Sequence, residues 1–390
     1  MCPQKTDIRD AIKLNIGHIT QSGLKRVRRV HDTPQGPVIR LNNKNLINFC
    51  SNDYLGLANH PALITAMKQG VDQYGVGAGA SQLICGYTAA HEKLEERLCA
   101  FTGRQKAVIF SSGYMANLSI VNTLLDRADM VLGDRLNHAS MIDAARMSRA
   151  KFRRYRHVDT VSLRDLLQGC GAEKKLVMTD GVFSMDGDMA PLPDISLVCA
   201  EMNAWLVVDD AHGFGVLGEN GGGTVQHFGL TTEDVSLLMA TFGKALGTAG
   251  AFIAGDEEVI EQFIQSARTL IYTTALPPAL AYASVRALEI VQEEKWRREH
   301  LFALINQFKN GARELGLPVA NSDTAIQPLL IGAAEKAVET SRQLFEKGIN
   351  VVAIRPPTVP NGTSRLRITL TAAHSEAQVD QLLDALCALV

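Results

Sequence analysis

From Lys106 onward, runs that are apolar at almost every position alternate with stretches whose apolar residues recur at helical spacing. The runs are AVIF, MVLG, LVMTD, WLVVDD, SLLMAT and AFIAG. A strand exposed on one face alternates apolar with polar residues, whereas one that is apolar throughout is covered on both faces. The rhythm therefore predicts an α/β fold with a mostly parallel sheet of about seven strands covered by helices. Upstream, residues 7–30 read as a polar, basic helix running into GLKRVRRVH. VIRLNNKNLINFC reads as a hairpin turning near Asn42 and Asn43, and residues 61–74 and 91–101 as helices. Downstream, Pro277-Pro278 opens one long helical stretch to about Leu315, the expected connection to a second unit. AIQPLLIG, a helix over 334–347, NVVAI, SRLRITL and an amphipathic helix from Ser375 make that unit a smaller α+β domain. The expected organisation is an N-terminal helix and hairpin segment (1–48), a large domain (49–283) and a small domain (284–390).

Composition narrows the partners. Lys and Arg number 39 against 41 Asp and Glu, a net charge of −2, so there is no bulk attraction to nucleic acid. The basic tract at 149–157, RAKFRRYRH, reads as an exposed strand with Lys151, Arg153 and Tyr155 alternating, in preference to a nucleic-acid patch. MCPQKTDIRDAIK has no apolar h-region and no apolar run reaches spanning length, so a cytoplasmic protein without a membrane partner is expected. The seven scattered cysteines, Cys2 among them, form no CxxC pair and suit reduced thiols.

In parallel sheets ligands gather at the carboxyl ends of the strands. Polar residues stand at those ends: Ser111-Ser112-Gly113 after AVIF, Asp180 after LVMT, Asp209-Asp210 after WLVV, and 241–244 after SLLMA. Lys244 is the one charged residue in LLMATFGKALGTAGAFIAG. Burying an ammonium among apolar groups lowers its pKa, and a neutral amine is a nucleophile suited to Schiff-base chemistry. The plainer reading is a lysine snorkelling from a strand end. A membrane span is disfavoured by Gly243, Gly247 and Gly250.

Two glycine patterns suggest a dinucleotide, as in an NAD-dependent oxidoreductase, and neither has the right context. GVGAGA at 75–80 follows a helix, and GFGVLG at 213–218 runs into ENGGG, which offers no helix N-terminus for a pyrophosphate. Asp209, Asp210 and His212 lack the second His or Cys cluster that a metal site needs, so no metal is expected. Pyridoxal 5'-phosphate fits better, since it needs a lysine for its aldehyde and an acid opposite its ring nitrogen. Adjacent strands ending at Asp209 and Lys244 could hold the two ends of one ring. Thr241 lies near the lysine, Gly113 and Tyr114 at a helix start offer N–H groups to a phosphate, and His138 could stack over the ring. Any of these histidines alone is more often a satisfied surface or core residue.

SNDYLG, GAGASQLICGYTAAHEKLE, SSGYMAN, NHAS, DGVFSMDGDMAPL, VVDDAHGFGVLG, TFGKALG and IYTTALPP, in unbroken order, resemble the α-oxoamine synthases. These are fold-type I, class II pyridoxal-phosphate enzymes that condense an amino acid with an acyl-CoA. DDAHG, IRPPTVP and ITLTAAHS resemble the branch serving biotin synthesis, whose substrates are L-alanine and pimeloyl-CoA or pimeloyl-acyl carrier protein. A sister branch using glycine and acetyl-CoA is the alternative. Position by position, the resemblance implies Lys244, His138 and Asp209 as catalytic, with Ser184 and His212 near the phenolic oxygen of the cofactor. Gly113, Tyr114 and Thr241 fall where the family holds the cofactor. Thr274, or its neighbour Thr273, would reach a phosphate across a homodimer interface. Arg367 matches the arginine that grips the amino-acid carboxylate, and Asn52 and Thr358 match substrate contacts. Either Lys25 or Arg26 aligns with an N-terminal arginine that meets substrate, and Arg26 is preferred. Phe214 departs from the family, which commonly has threonine there.

Overall fold

The computed structural model describes residues 7–22 and 24–389; Cys2 lies outside them. The N-terminal helix α1 (Ile8–Gln21) leads into the hairpin β1 (Val38–Leu41) and β2 (Lys44–Asn48). Its turn uses Asn42 and Asn43 at φ 50° and 60°, the left-handed region that asparagine tolerates best among residues with a side chain. Helix α2 (Pro61–Tyr74), a π-helical turn at Gln82–Gly86 and α3 (Ala89–Thr102) precede the large sheet. Its strands are β3 (Lys106–Phe110), β4 (Met130–Asp134), β5 (Lys151–Tyr155), β6 (Lys175–Asp180), β7 (Trp205–Asp209), β8 (Leu237–Thr241) and β9 (Ala251–Gly255). Between them lie α4 (Gly113–Leu124), α5 (Ala139–Met147), α6 (Thr160–Gln168), α7 (Leu192–Glu201) and the short α8 (Thr224–His227).

The seven strands run in the order β3-β9-β8-β7-β6-β4-β5, parallel except for β9, which is antiparallel to both neighbours. The central strands are buried on both faces: Leu176, Met178, Val207 and Met239 enter one apolar core, while Val177, Val208 and Leu238 enter the other. That double burial is why these runs are apolar without alternation. β4 and β6 are neighbours whose onward connections run in opposite directions along the sheet, a switch point that opens a crevice at their carboxyl ends.

After β9 come α9 (Glu257–Ser266), α10 (Arg268–Ile271), α11 (Pro278–Glu293) and α12 (Trp296–Glu314). The rest comprises β10 (Ile326–Gly332), α13 (Ala334–Glu346), β11 (Ile349–Asn350), β12 (Val352–Ile354), β13 (Ser364–Thr369) and α14 (Glu376–Cys387). β10, β13 and β12 form an antiparallel sheet, while β11 adds in parallel to β2 of the N-terminal hairpin.

Four local readings change. The stretch 277–315 is two helices, because Glu294 leaves helical geometry at φ −104° and ψ 57°. Its carboxylate takes Arg297 Nε at 2.6 Å, and the break lets α11 pack on α2 and α3 while α12 packs on α14. The N-terminal helix ends at Gln21, so the basic segment from Leu24 is irregular and exposed. NVVAI divides between β11 and β12. The strand at 151–155 forms with Lys151 and Arg153 exposed, but Tyr155 is buried in the same core cluster as Leu163 and Leu167 of α6. Among the described residues no helix is long and apolar enough to cross a membrane.

Candidate active site

Three strand ends converge. The register sets Asp180 of β6 beside Asp209 of β7, and β8 continues through Thr241 into the turn that carries Lys244. Gly247 N–H donates to Lys244 O at 2.9 Å to close that turn. Gly247 sits at φ +66°, and a Cβ there would collide with the backbone nitrogen of Ala58, so glycine is required on two counts. Lys244 Nζ lies 2.8 Å from His212 Nε2. Burial lowers the lysine pKa to about 8 against the opposing pull of Asp209 and Asp180. Burial, and then the Lys244 charge, holds the His212 imidazole well below its ordinary value, so the ring is neutral. Its Nδ1 lies 2.5 Å from the Tyr54 hydroxyl, whose pKa burial raises to about 12.

Asp209 is buried and held on both oxygens: Asn117 Nδ2 donates to Oδ2 at 2.7 Å and Ala211 N–H to Oδ1 at 3.0 Å. Asn117 Nδ2 also donates to Ser140 Oγ at 2.9 Å, and Ser140 Oγ lies 2.7 Å from His138 Nδ1. One amide thus ties the acid to the histidine. His138 caps the N-terminus of α5, and its own N–H donates to Asp180 Oδ2 at 2.7 Å. Desolvation lowers the imidazole of His138, with Asp209 opposing. Asp180 is pushed well up, by burial first and the Asp209 charge second.

Arg367 projects from β13 and is buried. Its Nε donates to Ser184 O at 2.6 Å, and its Nη1 to Asn52 Oδ1 at 3.1 Å and Thr369 Oγ1 at 3.0 Å. The loop 181–190 that supplies Ser184 is itself pinned. Arg365 Nη1 donates to Asp186 Oδ1 at 2.5 Å, and the hydroxyls of Ser322 and Thr324 donate to Gly187 O at 2.8 and 2.9 Å.

At the other end, Gly113 and Tyr114 open α4, where Ser112 Oγ accepts from Met115 N–H at 3.3 Å. The first N–H groups of a helix have no intrahelical acceptor, which suits such a turn to an anion. A Cβ on Gly113 would touch Thr241 Cβ at 4.0 Å, so the helix start abuts the end of β8. Thr274 is exposed next to it, its carbonyl accepting from Ser111 Oγ at 3.2 Å, with Thr273 half-buried beside it. A cleft of about 1190 Å³ reaches Gly243, the chain neighbour of Lys244, and is bordered as well by Asn52, Lys25, Arg26 and Thr358. Arg26 and Thr358 are exposed on its rim, and both Lys25 and Arg26 reach it. Phe214 turns away from the site and packs edge-on against Phe101 and Phe252 in the core. Among the described residues no group of three or more His, Cys, Asp or Glu is placed to hold a metal ion.

Sequence reasoning leaves out Tyr54 and Asn117. Both stand inside quoted motifs, SNDYLG and SSGYMAN, and a polar residue in an otherwise apolar helix face is the one local signal for Asn117.

The aminotransferase class I and II family matches residues 44–386. An 8-amino-7-oxononanoate synthase of Thioalkalivibrio sulfidiphilus is 55% identical over 376 residues, 96% of each chain. Among solved structures, a serine palmitoyltransferase from S. paucimobilis with bound pyridoxal phosphate and myriocin is 28% identical, with a TM-score of 0.93 over 98% of each chain. An 8-amino-7-oxononanoate synthase from Francisella tularensis is 32% identical, with a TM-score of 0.78 over 88% of this chain and 97% of that one. With the family match spanning most of its length and such relatives aligned end to end, the chain belongs to the class I and II aminotransferase family, alongside the 8-amino-7-oxononanoate synthases.

Proposed function

We propose that this chain condenses L-alanine with a pimeloyl thioester, on CoA or acyl carrier protein, to give 8-amino-7-oxononanoate, CO2 and the free thiol. The cofactor is pyridoxal 5'-phosphate, and the donor set fits it. A lysine with its pKa near 8 would bind the aldehyde, and a buried carboxylate, Asp209, would face the ring nitrogen. His138 would lie over the ring, with Ser184 and His212 near its phenolic oxygen. The start of α4, with Thr241 and a threonine of a second copy at 273 or 274, would hold the phosphate. When bound, the cofactor supplies an electron sink for charge at the amino-acid α-carbon.

The chain's own residues do the rest. Arg367 binds the alanine carboxylate in a charge-assisted pair, and Ser184 O and Asn52 Oδ1 keep its guanidinium plane fixed. Lys244 Nζ, neutral for a substantial fraction of the time near pH 7 to 8, takes the α-proton. A C–C bond then forms from the α-carbon to the thioester carbonyl, the C–S bond breaks as the thiolate leaves, the carboxylate leaves as CO2, and the α-carbon takes a proton back. Arg26, Asn52 and Thr358 border the cleft that would take the acyl donor.

The observation that carries this reading is the Lys244–His212 contact at 2.8 Å with Asp209 one strand over and Arg367 beyond. The choice of alanine rests on the 55% identical relatives, since the high TM-score to a serine palmitoyltransferase means the fold is shared by members that use other amino acids. A homodimer with shared sites is part of the proposal: α1 buries none of its residues and exposes Ile8 and Ile12, and Val76, Ile84 and Tyr272 are exposed as well. Incubation with alanine and pimeloyl-CoA, with the product identified by mass, tests the reaction. Glycine or serine outrunning alanine with any acyl-CoA would overturn it, and a monomer by light scattering would overturn the shared site.

A further inference from the structure

A continuous hydrogen-bonded chain joins the lysine to the carboxylate clamp. It runs from Lys244 Nζ to His212 Nε2 at 2.8 Å, from His212 Nδ1 to Tyr54 Oη at 2.5 Å, from Tyr54 Oη to Asn52 Oδ1 at 3.3 Å, and on to Arg367 Nη1 at 3.1 Å. Its polarity follows from its ends. A guanidinium only donates, so Asn52 must present its oxygen to Arg367. That oxygen cannot donate to Tyr54, so the single phenolic proton goes to Asn52 and the Tyr54 oxygen accepts. His212 must then carry its proton on Nδ1, which leaves a bare lone pair on Nε2. At the far end an amine or ammonium donates to that lone pair.

We propose that Tyr54 is a positioning residue that selects the Nδ1–H tautomer of His212, so that Nε2 accepts from Lys244. This rests on the reading of Lys244 as the amine that binds the cofactor. Tyr54 is fully buried, and the Arg367 guanidinium, which only donates, also acts on its oxygen, which keeps that oxygen an acceptor. The selected tautomer favours the charged lysine, because Nε2 is then an acceptor. The opposite tautomer would point an N–H at Nζ and favour the neutral amine. Tyr54 therefore sets, through His212, the pH at which Lys244 becomes reactive. The other groups acting on Lys244 are Asp209, Asp180 and Asp210, which favour its charge, and Arg367, which opposes it. His138 also faces this chain: its charge disfavours that of His212, and the Lys244 charge disfavours its own.

The test is the rate at which added pyridoxal phosphate is captured by the apoprotein, followed by absorbance and fixed with borohydride, as a function of pH. In Tyr54→Phe the ring Nδ1–H loses its acceptor and the Nε2–H form gains, so the midpoint moves to lower pH by about one unit. Asn52→Ala should move it the same way, because the phenol is then released to donate to His212 Nδ1. It also serves if Tyr54→Phe fails to fold. Wild-type midpoints in both variants, or a shift to higher pH, would overturn the proposal. Lys244→Ala separates the two readings: borohydride-fixed cofactor in that variant would remove the lysine assignment whatever Tyr54 does.

Discussion

Replacing His157 with glutamine removes a charge held between two carboxylates outside the reacting centre. Nδ1 lies 2.9 Å from Asp134 Oδ1 and Nε2 lies 2.9 Å from Asp188 Oδ2, and carboxylates on both nitrogens require the doubly protonated ring. Burial by itself pushes this imidazole down, but the hydrogen bonds and charges of Asp134 and Asp188 outweigh it and carry the pKa up to about 10. The ordinary value is 6.5, so between 6.5 and about 10 the native state holds one proton that the unfolded chain has lost. Stability therefore falls with pH across that window, by up to about 1.4 kcal/mol per pH unit. The contribution is fully present below pH 6.5 and is gone above about 10. Integrated, the slope has a ceiling of about 5 kcal/mol. With the side chain 24% exposed, about 3 kcal/mol is the working figure, in line with breaking a partly buried ion pair. Urea unfolding of wild type and His157→Gln from pH 6 to 10.5 should give a difference of about 3 kcal/mol at the acid end that vanishes at the alkaline end. A difference that stays constant with pH would refute the reasoning. The same substitution frees Asp188, and with it the loop that places Ser184 O under Arg367, so KM for alanine should rise about tenfold while kcat changes less.

Other predictions concern the reacting centre. Arg367→Ala should lower kcat/KM for alanine by roughly 30- to 1000-fold, the loss of a charge-assisted carboxylate pair of about 2–4 kcal/mol, measured by steady-state kinetics. Asp209→Asn keeps the shape but removes the charge opposite the ring nitrogen. Activity should fall by more than about a hundredfold and the equilibrium affinity for pyridoxal phosphate should weaken, read by fluorescence titration of the apoprotein. Gly247→Ala puts a Cβ into the backbone of Ala58 at a left-handed φ, so the variant should lose about 1–3 kcal/mol in urea unfolding and bind cofactor poorly.

How far these features can be read from sequence depends on the range of the interaction that creates each one. β6, β7 and β8 announce themselves because both faces of each strand are buried, which writes an uninterrupted apolar run. The antiparallel direction of β9 leaves no such mark, since AFIAG is buried on both faces whichever way it runs. Lys244 stands out because it is the lone charge among apolar and small residues, and Asp209 because it ends the most apolar strand. The bend at Glu294 is invisible locally. Its surroundings are good helix formers, and it is the placement of α2 and α14 that forces the corner. Tyr155 is buried against the period of its own strand because the end of β5 is covered by α6.

The polar network lies at the far limit of this range. Tyr54 meets a histidine 158 residues away, and Asn117 an aspartate 92 residues away. Before either is placed, tyrosine in SNDYLG and asparagine in SSGYMAN are ordinary polar residues with no period or spacing to mark them. Their roles also cannot be assigned one contact at a time. Whether the Tyr54 oxygen donates or accepts at His212 is decided two links further on, by an arginine that has no lone pair to offer. Folding delivers that constraint to the lysine only when β2's trailing loop, the end of β7, the turn after β8 and β13 are all in place. The reactivity of Lys244 is therefore a property of the assembled small and large sheets together, and substitutions at Asn52 or Tyr54 should move its pH midpoint.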